Sequence, residues 1–368
     1  MKHLLKKTVK FAGIAGTAAI AIFATYVLFA GTPQTETGNA PPMNEAVAAS
    51  APYVEAHTHF DDKDPEGSVR SALAALARQN ATKIFFLTLP DTFDRPGTYD
   101  AEVLLPTAKK YPGKVAVLGG GGTLNPMIMK SVATGDAGPA IQQKFKERAE
   151  ELVREGIAGF GEMSAEHFDG ATPYEYAPAD HPLFLMLADI AAEHNIPIDI
   201  HMEAVPEAML LPAGLKSPLN PPELHANIAA FERLLAHNPR AKIIWAHAGS
   251  DGTGFRTPEL CRRLLRAHSN LYMEIKADPL AHGKNYPLVD GKIAPEWLKL
   301  FKDYPDRFII GSDQHYPEPK GQQQQRWQEM VLLFNQLPAD LKRSIGTENA
   351  AHIYGASAGP AASGGNAQ

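Results

Sequence analysis

Cysteine is almost absent from this chain: Cys261 is the only one in 368 residues, which excludes an internal disulfide and a thiolate metal cluster. Any ion must then be held by His, Asp and Glu. A basic excess is also lacking. The net charge of -6 and isoelectric point near 6.2 argue against a nucleic-acid backbone as the principal ligand and favour a small-molecule substrate. No GxGxxG turn is present; GGGG at 119–122 ends an apolar run without that spacing, so nothing supports a Rossmann nucleotide site. Cys261 itself lies in PELCRRLLRAH, where apolar residues recur three and four apart, and reads as a packing residue.

What is present, 44% hydrophobic and 21% charged residues, has the balance of a globular protein with length for one large domain or two ordinary ones. The ends differ from the middle. A basic start, MKHLLKKTVK, precedes an uncharged run at 11–30, FAGIAGTAAIAIFATYVLFA, long enough to span a bilayer as a helix. Residues 1–30 are expected to form a signal anchor in the membrane, with the rest of the chain on the extracytoplasmic side, periplasmic in a bacterium. The alternative is a cleaved signal peptide that leaves a soluble periplasmic or secreted protein; the length of the run and Leu28 near its end disfavour cleavage. Residues 31–50 read as a flexible tether and 357–368 as a disordered tail. Self-association into a homo-oligomer is left open.

Between these ends, short apolar runs alternate with helical patterns. YVEAH (53–57), KIFFLT (83–88), KVAVLG (114–119), IAGFGE (157–162), IPIDIH (196–201), KIIWAH (242–247), LYMEIK (271–276) and RFIIGS (307–312) are the expected strands. Eight strands separated by helices predict an α/β fold, a (β/α)8 TIM barrel over residues 51–356, with an open doubly wound sheet as the alternative.

The C-terminal ends of barrel strands converge on one mouth. VEAHTHFD carries His57 and His59 at the end of the first strand; Glu162 ends the fourth, His201 the fifth, His247 the sixth, and Asp313 follows the eighth. Taken singly, each has a plain structural explanation as a hydrogen-bonded polar residue or a turn cap. Gathered in one place, they would be costly to desolvate without a cation or hydrogen bonds, and so predict a metal site.

Alternation along the strands places Tyr53, Glu55, Asp199 and Trp245 inward, and Tyr272, Glu274 and Lys276 inward on the seventh strand, with Leu271, Met273 and Ile275 toward the helices. Lys276 and Glu274 are therefore candidate substrate residues, Lys276 for a carboxylate or other anion. The structural alternative is an ion pair of Lys276 with Glu274 or Glu55. His167 and His315 follow the Glu162 and Asp313 strands and are further candidate substrate contacts. His225 is expected on the next helix and is not assigned as a ligand. The proline-rich EAVPEAMLLPAGLKSPLNPPELHAN after His201 is a candidate lid, or else a static surface excursion.

Together VEAHTHFD, IDIHME, IIWAHAG and FIIGSDQHY resemble the amidohydrolase superfamily, in its amidohydrolase-related branch of metal-dependent hydrolases and decarboxylases. The likeness spans about residues 52–355 and includes SIGTENAAHIYG, similar to the terminal helix of such domains. GFGEMS is similar to the strand-four Glu of TatD-type hydrolases. The resemblance implies that His57, His59 and Asp313 hold a first divalent ion and His201 and His247 a second, with Glu162 bridging; with one ion per chain, His247 would instead polarise the substrate. Zinc suits these donors, and manganese, iron or cobalt fit them too. The resemblance further implies that Asp313 takes the proton of a metal-activated water that cleaves an ester, lactone, amide or related bond. Non-oxidative decarboxylation, with His247 or Asp313 aiding proton transfer, is the enzymatic alternative. A non-catalytic tethered metal-binding protein is the other.

Overall fold

Each apolar run becomes a strand, and the strands close on themselves in chain order. In this computed structural model, which describes residues 48–92, 99–168, 174–250, 252–277, 285–317 and 323–358, the strands are β1 Tyr53–Phe60, β2 Ala81–Leu87, β3 Val115–Gly120, β4 Gly159–His167, β5 Pro197–Met202, β6 Lys242–Ala248, β7 Leu271–Ile275 and β8 Phe308–Ile310. All are parallel, each pairs with the next, and Glu55 opposite Ile310 joins β8 back to β1. The expected TIM barrel is the fold. An open sheet is ruled out by that last pairing.

Helices α1 Pro65–Gln79, α2 Leu105–Ala108, α3 Leu124–Thr134, α4 Pro139–Glu155, α5 Pro182–His194, α6 Ile228–His237, α7 Pro258–Ala267, α8 Pro295–Asp303 and α9 Gln323–Gln336 wrap the barrel, followed by α10 Ala339–Arg343 and α11 Asn349–Tyr354. Five of them, α1, α4, α5, α7 and α8, open on a proline, whose missing N–H costs nothing at that position and whose φ is already helical. Five of the chain's 30 prolines thus serve as helix punctuation.

Two apolar layers result. Outward strand residues such as Phe86, Val117, Ile198 and Met273 pack against Leu76, Phe145, Leu187, Leu264 and Phe301 from the helices, and Cys261 is buried there as expected. Inward, Phe85, Leu87, Leu118, Ile244 and Ile309 form a smaller cluster that α11 completes with Ile353 and Tyr354; the rings of Phe85 and Tyr354 stack at 4.1 Å.

Two inward assignments are overturned. Tyr53 faces outward, 5.8 Å from the ring of Phe334 and accepting from Trp327 Nε1, because the β1–β2 register shifts between Tyr53 and Val54. Trp245 also faces outward, against Phe231 at 5.3 Å, while Ile244 points in. Alternation counted back from His247 fails because His247 has φ +66° and the β6–β7 register shifts just there.

The segment after His201 forms a hairpin, Met209–Leu210 paired with Glu223–Leu224, on a satellite core of Phe168, Val205, Leu211 and Leu224. His225 lies between that hairpin and α6, with its ring 4.8 Å from Tyr176, and not on the helix. At the N-terminal side Ala49 is buried, and Asn335 binds Ala48 O and Ser50 N. The candidate anchor at 1–30, most of the tether and nearly all of the tail lie outside the described residues, among which no helix is long and apolar enough to cross a membrane.

Candidate metal centre

The six strand-end residues converge. His57 Nε2 is 3.3 Å from His59 Nε2 and 3.6 Å from Glu162 Oε2; His59 Nε2 is 3.3 Å from Glu162 Oε2 and 3.1 Å from Asp313 Oδ1; His57 Nε2 to Asp313 Oδ1 is 4.0 Å. Four donors each about 2.0–2.2 Å from a tetrahedral ion would lie roughly 3.3–3.6 Å apart. The observed spacings bracket that range.

The other oxygen of Glu162 faces a second pair: Oε1 is 2.7 Å from His201 Nδ1 and 3.1 Å from His247 Nε2, and the rings of His201 and His247 are 4.7 Å apart. Glu162 therefore stands between His57 and His59 on one side and His201 and His247 on the other.

Backbone and ring orientation serve this convergence. His59 Nδ1 donates to the Leu87 carbonyl at 3.1 Å. A carbonyl can only accept, so the proton of a neutral His59 sits on Nδ1 and the Nε2 lone pair is free. His57 Nδ1 donates to Glu274 Oε2 at 2.7 Å, with the same consequence. Among the described non-glycine residues with positive φ, Asn80, Asn195 and Asp290 lie at helix ends or a turn, whereas His247 and Asp313 lie at this site, at +66° and +54°. That costly conformation at two donors is held by the surrounding fold, including the Asp313 N–H bond to His57 O at 2.9 Å.

The electrostatics fit a cation. Burial alone would keep His57, His59 and His201 neutral, but the carboxylates around them outweigh it and raise all three, His201 to about 9 through Glu162 and Glu203. Burial would likewise raise Glu162 and Asp313, yet His57 with His201, and Lys276 with His59, hold them well below the ordinary carboxylate range. The carboxylates thus demand positive charge, which protons or a divalent ion can supply. Both oxygens of buried Asp199 have no hydrogen-bond partner, and neither has His247 Nδ1 or Glu274 Oε1, which face each other at 3.2 Å.

The candidate substrate residues divide. Lys276 reaches the site, where its Nζ donates to Asp313 Oδ2 at 2.5 Å; this bond replaces the expected pairing with Glu274 or Glu55 as its principal described contact. Glu274, the other candidate, is fully buried behind His57 and His247, 2.7 Å and 3.2 Å from their Nδ1 atoms. Glu55 accepts from Ser312 N at 2.8 Å. His167 and His315 flank the ring, 4.7 Å from His201 and 4.8 Å from His59 by ring centroids, and burial beside His59 lowers His315 to about 4.

Sequence reasoning missed three residues. Arg326 on α9 donates to Asp313 O at 2.9 Å and Oδ2 at 3.3 Å. Glu203 lies 3.8 Å from His201 Nε2. Buried Arg256 donates to Ala246 O and Met202 O, next to His247 and His201, and stacks 4.5 Å from Trp245. Only Glu203 carried a signal, its two-residue spacing from His201.

Residues 131–356, more than half of the chain, match the family described as Amidohydrolase. The chain belongs to that amidohydrolase family. A probable 2-pyrone-4,6-dicarboxylic acid hydrolase from Acinetobacter baumannii is similar in fold at TM-score 0.50 and 11% identity, covering 82% of this chain and 99% of its own. A 2,6-dihydroxybenzoate decarboxylase from Rhizobium gives TM-score 0.46 at 13% identity over 83% and 98%, and a dihydroxybenzoic acid decarboxylase from Polaromonas, with bound manganese, 0.43 at 14% over 83% and 97%. No curated protein matches the sequence. These neighbours in fold are one probable hydrolase and two decarboxylases, and none bears on the TatD parallel drawn for Glu162.

Proposed function

We propose that this amidohydrolase is a metal-dependent hydrolase that cleaves an ester, lactone, amide or related bond of a small anionic molecule. One observation carries the reading: the two oxygens of Glu162 face two different histidine pairs, the arrangement a carboxylate bridging two ions requires. His57, His59 and Asp313 would hold one ion and His201 and His247 the other; zinc or manganese suits the donors. Ions there would polarise a substrate oxygen and make a water acidic enough to react at neutral pH.

The chain's own groups do the rest. Lys276 and Arg326 both engage Asp313 Oδ2, which leaves Oδ1 toward His59 and the reacting centre. Held ionised, Asp313 is the acceptor for a proton and can return it to a leaving group. Lys276 and Arg326 also bring two cations to the rim, suited to a substrate carboxylate. His167 and His315 are placed to touch the same molecule.

The test is a metal-reconstituted screen of lactones, esters, amides and aromatic carboxylates in ¹⁸O-labelled water. Hydrolysis places the label in product, stops on chelation and resumes on readdition of metal. His57→Asn should fall below about a hundredth of wild-type turnover, since loss of partners behind a ligand alone costs 10–100-fold. Release of carbon dioxide with no label in the organic product would replace hydrolysis by decarboxylation, and turnover that survives full metal removal would end the metal reading.

A further inference from the structure

Glu274 sits on β7, which supplies none of the six donors, yet it touches histidines from both sides of Glu162. Its Oε2 accepts from His57 Nδ1 at 2.7 Å and its Oε1 lies 3.2 Å from His247 Nδ1. It has no exposure. The fold keeps space for it: a Cβ on Gly311 would fall 2.2 Å from Glu274 Cδ, so residue 311 has to be glycine for this carboxylate to pass. A buried carboxylate held against two imidazoles would be a costly ornament without a purpose.

We propose that Glu274 is the positioning residue that serves both histidine pairs: one oxygen accepts from His57 Nδ1 and the other, 3.2 Å from His247 Nδ1, is placed to accept from it once the site is loaded, so that both rings keep Nε2 turned toward Glu162. The inference rests on the metal-dependent reading of that site. A carboxylate suits the task because it offers two acceptors, one for each ring. Gln offers one acceptor and one donor, so it can serve only one Nδ1–H, and Ala serves neither. Partners of this kind raise ligand basicity and set the tautomer, and their loss weakens ion binding 10–100-fold.

The experiment titrates the chelator-stripped full chain and its Glu274→Gln and Glu274→Ala variants with Zn²⁺ by calorimetry, with apo melting curves for each. Expected is a 10–100-fold loss of Zn²⁺ affinity in Glu274→Gln and a larger one in Glu274→Ala, with apo forms that still melt cooperatively. Undiminished affinity in a folded variant overturns the proposal. Wild-type protein alone supplies an independent check: in the Zn²⁺-loaded chain, ¹⁵N shifts should report Nδ1–H at both His57 and His247, and an Nε2–H tautomer at either overturns the proposal even where the variants do not fold. The number of Zn²⁺ ions bound by wild type tests the two-ion reading separately, because a single ion would refute bridging by Glu162 while Glu274 is still judged by the ratio of affinities.

Discussion

Lys276 and Arg326 converge on one oxygen of Asp313, so the conformation of a single carboxylate depends on residues 37 and 13 positions away in the chain. Replacing Lys276 by Met should act in two ways. A hydrogen bond to a charged group is worth about 1.5–3 kcal/mol, so the KM of an anionic substrate should rise roughly 10–100-fold. Asp313, which burial would raise and Lys276 chiefly holds down, should take a proton at higher pH, so the acidic limb of kcat/KM should move upward. A pH profile of the variant measures both, and an unchanged KM and limb would remove Lys276 from the reaction. The strand-end donors were legible because a polar side chain ending an apolar run stands out against it. Arg326 and Arg256 were not, since each reaches the site from a loop or helix whose packing no local pattern encodes.

At the scale of elements, Asn227 closes the long excursion after β5. Its Oδ1 accepts from Val205 N at 3.0 Å, its backbone N–H donates to Val205 O at 2.8 Å, and its Nδ2 donates to Glu203 O at 2.7 Å and Glu166 Oε2 at 2.5 Å. The two ends of the excursion are thus buttoned together and tied to β4. Asn227→Ala would leave several buried groups unsatisfied, at about 1–3 kcal/mol for each one that water cannot reach. Limited proteolysis should then cut within 206–226 well before the barrel unfolds; resistance equal to wild type would show that the satellite core alone holds the segment. Composition and length marked this stretch as unusual, but its hairpin and its clasp depend on Glu166 of β4 and on Phe168 just after that strand. The eight strands were legible for the opposite reason, because a parallel strand buried on both faces reads as an uninterrupted apolar run. Alternation within those runs misplaced Tyr53 and Trp245, where shifts of register reset the count.

Across the whole molecule, a barrel this apolar keeps Glu162, Glu274 and Asp313 ionised near one another because opposite charge is close at hand, whereas burial raises Glu55 to about 8 and Asp199 to about 7. Without an ion, protons on the histidines supply part of that charge, so taking up a divalent cation must expel them. The sign follows from His201: burial opposes its charge, but Glu162 and Glu203 raise it to about 9, so at pH 7 it is protonated and must lose that proton to become a ligand. His57 and His59 are raised in the same direction. Apparent ion affinity should therefore climb as the pH rises from about 6 toward 9, by roughly tenfold per pH unit for each proton displaced. Calorimetry with Zn²⁺ in buffers of different ionisation enthalpy counts the protons released. Because a ligand stabilises the folded state by RT ln(1 + [L]/Kd), the rise in Tm on adding Zn²⁺ should be larger at pH 8 than at pH 6. Equal rises, with no proton release, would mean that the ring is neutral before the ion arrives and that the histidines do not carry the compensating charge.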